Sequence, residues 1–421
     1  MLLLQNVSIL DPMSPYHGQV SDILIANNGN IETIAPDIQA IGARKIDLTG
    51  HCVSIGWLDI GTQACDPGYE HREDLLSVAN AAISGGFTAL AIAPNTAPSI
   101  HSGTEVAYIF NATKRLLPDV FPLGAISVNC AGKDLAELFD MHTSGVVAFT
   151  DGSKPVQDSG LMLRALEYSR AFGGKIMNTP YDKTLAPHGQ IHEGEVSTSL
   201  GLPGIPSLAE EMMLLRDLRL AEYAEAPIHI SNIATAKAVE IVRTAKANGQ
   251  KVTCSAAIAN CIFDDTELAT FDNHFKLMPP LRDKTDVVAI QNGLADGTID
   301  FLTTNHTPWD TEAVELEFPY AKFGMIALET ALALTFTYLR GKLSTERIIE
   351  LWGVAPRQFL NQAVPSINIG CRANLTVFSP DYAWVFSKSD IKSKSKNTPF
   401  VGVNFVGKTV GVVVGNLTSL S

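Results

Sequence analysis

Short apolar runs that end in polar residues recur through the middle of the chain. The segments "FTALAIAP", "SGVVAFTD", "KIMNTP", "APIHISN", "QKVTCSA" and "IDFLTTNHTP" each read as a strand handing over to a loop. Between them, apolar residues recur at helical spacing in "EDLLSVANAAISGG", "SGLMLRALEYSRAFGG", "PSLAEEMMLLRDLRLAEYA" and "ATAKAVEIVRTAKANGQ". The Gly173-Gly174 pair that closes the second of these is a helix stop. Such β/α alternation predicts a parallel sheet, and eight units of it would close a (β/α)8 barrel of the TIM type. A doubly wound open sheet is the alternative. No G-x-G-x-x-G follows a first strand, which argues against a dinucleotide-binding version of it.

The two ends of the chain follow another pattern. "DILIANNGNIETIAP" has two alternating runs around Asn28-Gly29, the dipeptide favoured in tight hairpins. Near the other end, "RANLTVFSP", "FVGVNFVGKTV" and "GVVVGNLTSL" are short β-rich pieces separated by Gly, Asn and Pro. The predicted organisation is an α/β protein: a barrel over residues 54–362, and a small β-sandwich domain built from residues 1–53 and 363–421.

Composition narrows the picture mainly by exclusion. With 46% hydrophobic and 18% charged residues, the 421-residue chain can bury a large core. A net charge of −13 argues against a general nucleic-acid binder. The six cysteines form no C-x-x-C pair, so free thiols in a reducing cytosol are expected. The start "MLLLQNVSILDP" lacks a basic segment before its apolar run and does not read as a signal peptide. The most apolar window, "GMIALETALALTFTYL", contains Glu329 and is too short to span a bilayer. A soluble, cytoplasmic protein is the expectation.

A barrel places its chemistry at the C-terminal ends of its strands. Those ends here are Asp59 to Gln63, Asn95, Asp151, Asn178, Asn232, Ser255 and Asn305. Hydrolytic sites concentrate acids, bases or metal ligands at such positions, whereas this set is rich in amides. The stretch "GWLDIGTQACDPGYEHRED" shows the contrast most sharply, because the strand end after Asp59 carries only Gly61 and Gln63.

Longer segments carry a resemblance. They include "DPGYEHRED", "APNTAPSI", "HEGEVSTSLGLPGIPSLAEEMMLLRDLRLA", "MPPLRDKTDVVAI", "GTIDFLTTNHTP", "AKFGMIALETALAL" and the closing "SKSKNTPFVGVNFVGKTVGVVVGN". Over essentially the whole chain these resemble the dihydroorotases of the amidohydrolase superfamily, specifically the longer type that associates with aspartate carbamoyltransferase. Active members of that family carry D-x-H-x-H at the first strand end, where both His bind metal. The matching residues here are Asp59, Gly61 and Gln63. The family's L-R-E-P-G, whose Arg grips the substrate carboxylate, is matched by Ala64-Cys65-Asp66-Pro67-Gly68. Its H-C-E-D is matched at Asn178 and the second His of its H-x-S-H at Asn232. The Asp of T-D-H-A-P-H, which is ligand and general base, is matched by Asn305, followed by His306. The region of the bridging carboxylate keeps Asp151. A substrate-contacting Asn is matched by Met278, and the Asn of "APNT" survives as Asn95.

The resemblance therefore implies a dismantled site with zinc lost and no cofactor. A zinc centre needs three or four N, O or S donors, and an amide cannot serve as a general base near pH 7. Asp59, Gly61, Gln63, Asp151, Asn178, Asn232 and Asn305 become degenerate site positions; Cys65, Asn95, Met278 and His306 become the lining of a vestigial pocket open to a small molecule. Degenerate dihydroorotase-like chains bind aspartate carbamoyltransferase, so the resemblance implies an oligomer-forming, non-catalytic partner of that enzyme in pyrimidine biosynthesis. The alternative is a hydrolase of a cyclic amide or dihydroorotate-like substrate with changed, metal-independent chemistry. His306 and His229 are expected to be structural, and Cys65 lacks an activating neighbour. Lys388, Lys392, Lys394 and Lys396 are expected in a solvated loop, with a contact surface for an acidic partner as the sharper option.

Overall fold

The hairpin expected at Asn28-Gly29 forms. In the computed structural model, which describes residues 1–420, β1 (Leu2–Leu10) pairs antiparallel with β2 (Val20–Ile25), and β2 turns into β3 (Ile31–Ala35). Gly29 sits at φ +85°, and a Cβ there would lie 2.7 Å from the Gly415 Cα. Only glycine allows both the left-handed turn and that approach to the far end of the chain. β4 (Arg44–Asp47) and β5 (Cys52–Ile55) run parallel to β1.

The middle of the chain alternates as its pattern predicts. β6 (Trp57–Thr62) is followed by α1 (Leu75–Gly85) and β7 (Phe87–Ile92), then α2 (Gly103–Thr113) and β8 (Asp119–Pro122). Asp74 caps α1 by accepting the Ser77 N–H at 2.7 Å, and Gly86 ends it in the left-handed region. α3 (Leu138–Thr143) and α4 (Ser159–Arg170) lead to β9 (Ile176–Asn178). The small pair β10 (Ile191–His192) and β11 (Gly204–Ile205) flanks α5 (Glu195–Leu200). α6 (Ser207–Ala224), β12 (Ile228–Ile230), α7 (Ala236–Ala247), β13 (Val252–Ala257), α8 (Lys284–Asp296) and β14 (Phe301–Thr303) complete the series.

These strands form two parallel arcs, β6-β7-β8 and β9-β12-β13-β14. The strand expected in "SGVVAFTD" is reduced to one residue: Phe149 bridges Gly124 on one side and Ile176 on the other. Gly145, at φ +107°, and Asp151, tied to Ser127, turn the chain on either side and leave little of it extended. At the opposite seam, the Gln63 N–H donates to the His306 carbonyl at 3.0 Å. Every residue of β7 is buried, as a parallel strand covered on both faces requires.

β15 (Asn374–Val385) pairs antiparallel with β5 and with β16 (Asn404–Val414), and β17 (Leu417–Thr418) closes the edge. The two ends of the chain thus share one eight-stranded sheet. Between β15 and β16 the lysine-rich segment is no solvated loop. Lys392, Lys394 and Lys396 are exposed, but Ile391, Ser393, Ser395 and Asn397 between them are buried. The Lys392 and Ser393 N–H groups both donate to Glu329, and Ser395 Oγ donates to the Arg72 carbonyl at 2.7 Å. The period of two marks an extended strap with one face against the loops that follow β6 and β14. No helix among the described residues is long and apolar enough to cross a membrane.

Candidate functional site

The C-terminal ends of the parallel strands and the loops that follow them enclose a cavity of about 510 Å³. Gly61, Gln63, Asn95, Asn232, Met278 and Asn305 all line it. Asn232 and Asn305 sit at φ 56° and 51°. Asparagine tolerates this left-handed backbone better than most residues, so the amides suit the sharp turns on which they stand. They tie to one another and to the wall: Asn232 Nδ2 lies 3.5 Å from Asn305 Oδ1, and Asn305 Nδ2 donates to the Met278 carbonyl at 3.0 Å. Asn95 donates to the Asp151 carbonyl and accepts the Ser153 N–H, which pins the loop after Phe149.

The remaining residues singled out in the sequence stand behind the wall. Asp59 is fully buried; one carboxylate oxygen accepts the Thr304 N–H at 2.7 Å, the other the hydroxyls of Thr62 and Thr304. Burial pushes its carboxyl up, against the pull of those hydrogen bonds. It latches the end of β6 to the end of β14. Asp151, also fully buried, accepts the Ser127 N–H at 2.9 Å and the Ser127 hydroxyl, and burial raises it as well. Asn178 donates to Asp217 at 2.7 Å and accepts the Val156 N–H at 3.2 Å. Asp217 in turn holds the Arg216 guanidinium.

Cys65 and His306 need correcting. The sequence puts both on the pocket surface; in the structure neither lines the cavity. Cys65 lies at φ 61°, 2% exposed, and burial pushes its thiol up to about 12. His306 is turned away from the cavity, with Nδ1 as its hydrogen-bonding nitrogen and Nε2 buried without a hydrogen bond. Nδ1 faces the N–H groups of Ala327 and Leu328 at 3.2 and 3.4 Å, and Nε2 lies 3.5 Å from Glu73. His229 is likewise internal. It stacks on Phe301, bonds Thr253 and Ser255, and is held down to about 3 by burial.

Other lining residues are not among the site positions read from the sequence. Arg72 is buried with its guanidinium 3.6 Å from the Trp309 ring, donating twice to the Pro308 carbonyl. Lys154, Lys183 and Lys322 reach the cavity from three further loops, and Ser231 lies on its wall. Sequence alone gives no sign of their convergence, because each lies on a different loop.

As a metal site the donor set does not fit. Gly61 offers no side chain, Gln63, Asn232 and Asn305 offer neutral amides, and Asp59 and Asp151 spend their oxygens on hydrogen bonds away from the cavity. No His, Asp or Glu is among the lining residues. A divalent metal needs several such donors converging at bonding distance. Among the described residues, the one convergent group of three, His192, Asp283 and Asp286, lies outside the cavity wall. Arg282, 3.1 Å from His192 Nδ1, opposes a cation there.

The fold is shared with solved hydantoinase structures. L-hydantoinase (dihydropyrimidinase) from Arthrobacter aurescens matches with a TM-score of 0.88 at 21% identity, over all of this chain and 96% of its own. D-hydantoinase (dihydropyrimidinase) from a Thermus species matches at 0.82 and 22%, over all of this chain and 95% of its own. More particularly, the chain belongs to the dihydroorotase-like family. The Dihydro-orotase-like family model matches residues 52–238. Proteins named dihydroorotase from Syntrophus aciditrophicus and Acetivibrio thermocellus are each 38% identical, over 98% and 99% of this chain and 97% and 98% of their own lengths.

Proposed function

We propose that this chain is a non-catalytic member of the dihydroorotase family in pyrimidine biosynthesis, kept as a structural and regulatory partner of aspartate carbamoyltransferase. One observation carries the reading: a cavity at the strand ends whose lining holds no histidine and no carboxylate. Opening or closing a cyclic amide needs an activated water and a base. A bound metal brings water to a pKa of about 7, and a positioned base contributes roughly 10²–10⁴-fold. The wall supplies donors for neither. We also infer that the two parallel arcs close as a (β/α)8 barrel; the Gln63–His306 bond and the Asp59 latch across β6 and β14 support closure. In this reading the barrel serves as scaffold, the site has lost its zinc, and the chain works in the cytoplasm as part of an oligomer.

A second reading is dihydroorotase activity itself. It is favoured by the name of the relatives, which match this chain end to end. One purified sample separates the two. On the first reading, elemental analysis finds no stoichiometric zinc, dihydroorotate hydrolysis stays at background, and tagged protein co-purifies with aspartate carbamoyltransferase. A robust, chelator-sensitive rate overturns it in favour of the second.

A further inference from the structure

We propose that the cavity is a receptor for a small polyanion, bound without metal by cations that converge on it from four loops. The inference rests on the metal-free reading of the site and adds a ligand class to it.

In a chain of net charge −13, no carboxylate lines the cavity, and the side chains on its wall that carry charge at neutral pH are all basic: Arg72, Lys154, Lys183 and Lys322. They come from four separate loops, and none of the four is ion-paired within 4.0 Å among the described residues. Burial and the charge of Lys154 hold the Lys183 ammonium below its ordinary range, so the two feel one another. Unneutralised like charges around one concavity repel, and their fields focus on an anion that enters. Arg72 cannot swing away, since its stacking on Trp309 and its two bonds to Pro308 fix it. On the same wall, Ser231 Oγ is buried and has no hydrogen-bond partner. A buried hydroxyl left unpaired is costly, and on a cavity wall it marks where a ligand oxygen is received. Cys65 stands where the family has its carboxylate-gripping Arg, so the positive charge here has a different origin.

Dicarboxylates and phosphates share the required chemistry. Malonate and pyrophosphate are the two probes, titrated into the full-length protein in chelator-containing buffer. Trp309 fluorescence is the readout, with Trp309→Phe as the signal control. The expected result is saturable binding of at least one probe, weakened by salt. The double variant Lys154→Gln/Lys183→Gln, at exposed positions that leave the fold alone, weakens it about tenfold and flattens its salt dependence. The stronger probe identifies the anion class. Absence of binding by either probe at millimolar concentration, or binding indifferent to the double variant, overturns the proposal. Binding abolished by chelator, with stoichiometric zinc in the untreated protein, overturns the metal-free reading as well.

Discussion

His306 and Glu73 form a pair sealed from solvent, Nε2 to Oε2 at 3.5 Å, and neither side chain lines the cavity. Glu73 also accepts from the hydroxyls of Ser77 and Ser393 and from the Lys394 N–H at 3.1 Å. One carboxylate thus ties the last-strand loop, the start of α1 and the strap between β15 and β16. Through Glu73, His306 is part of the packing between the strand-end loops and the β-rich end of the chain.

Glu73 gives a stability prediction with a sign. Burial pushes its carboxyl up, but His306, Ser393 and Ser77 outweigh burial, so it titrates below the ordinary 4.5. A depressed carboxyl contributes fully above 4.5, and its contribution is lost as pH falls through the lower folded value. Glu73→Gln should cost about 3 kcal/mol near neutral pH, and the gap to wild type should narrow in acid. Urea unfolding across pH 3 to 7 measures it; a gap independent of pH would refute the assignment.

Asn178 is predicted to matter for structure. Asn178→Leu removes the donor to one oxygen of the fully buried Asp217, whose other oxygen keeps Arg216, and losing a hydrogen bond to a buried charged group costs about 2 kcal/mol. Denaturant midpoints should show the loss, while metal content should not change. A variant as stable as wild type would contradict the role.

The strap has its own anchor. Asn397 donates to the carbonyls of Thr307 and Gly324 at 3.0 Å each and accepts the Trp309 N–H at 3.1 Å. Asn397→Ala should cost about 2 kcal/mol and speed amide exchange at Trp309 and along residues 391–398. Unchanged exchange there would mean that the strap is held elsewhere.

Thiol chemistry tests Cys65. Burial pushes Cys65 and Cys130 up to about 12 and also raises Cys254 and Cys261. At pH 8 a thiol near 12 is ionised in roughly one molecule in ten thousand. A maleimide should therefore label the partly exposed Cys371 and Cys52 first, the cavity-lining Cys130 more slowly, and Cys65, Cys254 and Cys261 only on unfolding. Fast native labelling of Cys65, read by peptide mass spectrometry, would restore it as a nucleophile.

Chelation should leave the thermal midpoint in place. A metal held at a hundred times its dissociation constant adds about 2.7 kcal/mol, so stripping one would lower the midpoint by several degrees. A fall of that size after chelator treatment would sink the metal-free reading.

Local chemistry made much of this protein legible in its sequence. Period-two runs around Asn28-Gly29 fixed the β2–β3 hairpin. The caps at Asp74 and Gly86 bounded α1, and apolar runs ending in amides marked β9, β12 and β14 with Asn178, Asn232 and Asn305 at or just beyond their ends. These features depend on neighbours a few residues away, so a linear pattern carries them. Tertiary structure alone decided which strand-end side chains face the cavity. Cys65 sits at a left-handed turn and is buried, while Gln63 lies on the wall. Tertiary structure also decided that alternate residues of the lysine-rich segment pack inward, and that Arg72, Lys154, Lys183 and Lys322 meet. Burial and charge convergence join residues as far apart as 72 and 322, and no spacing along the chain encodes them.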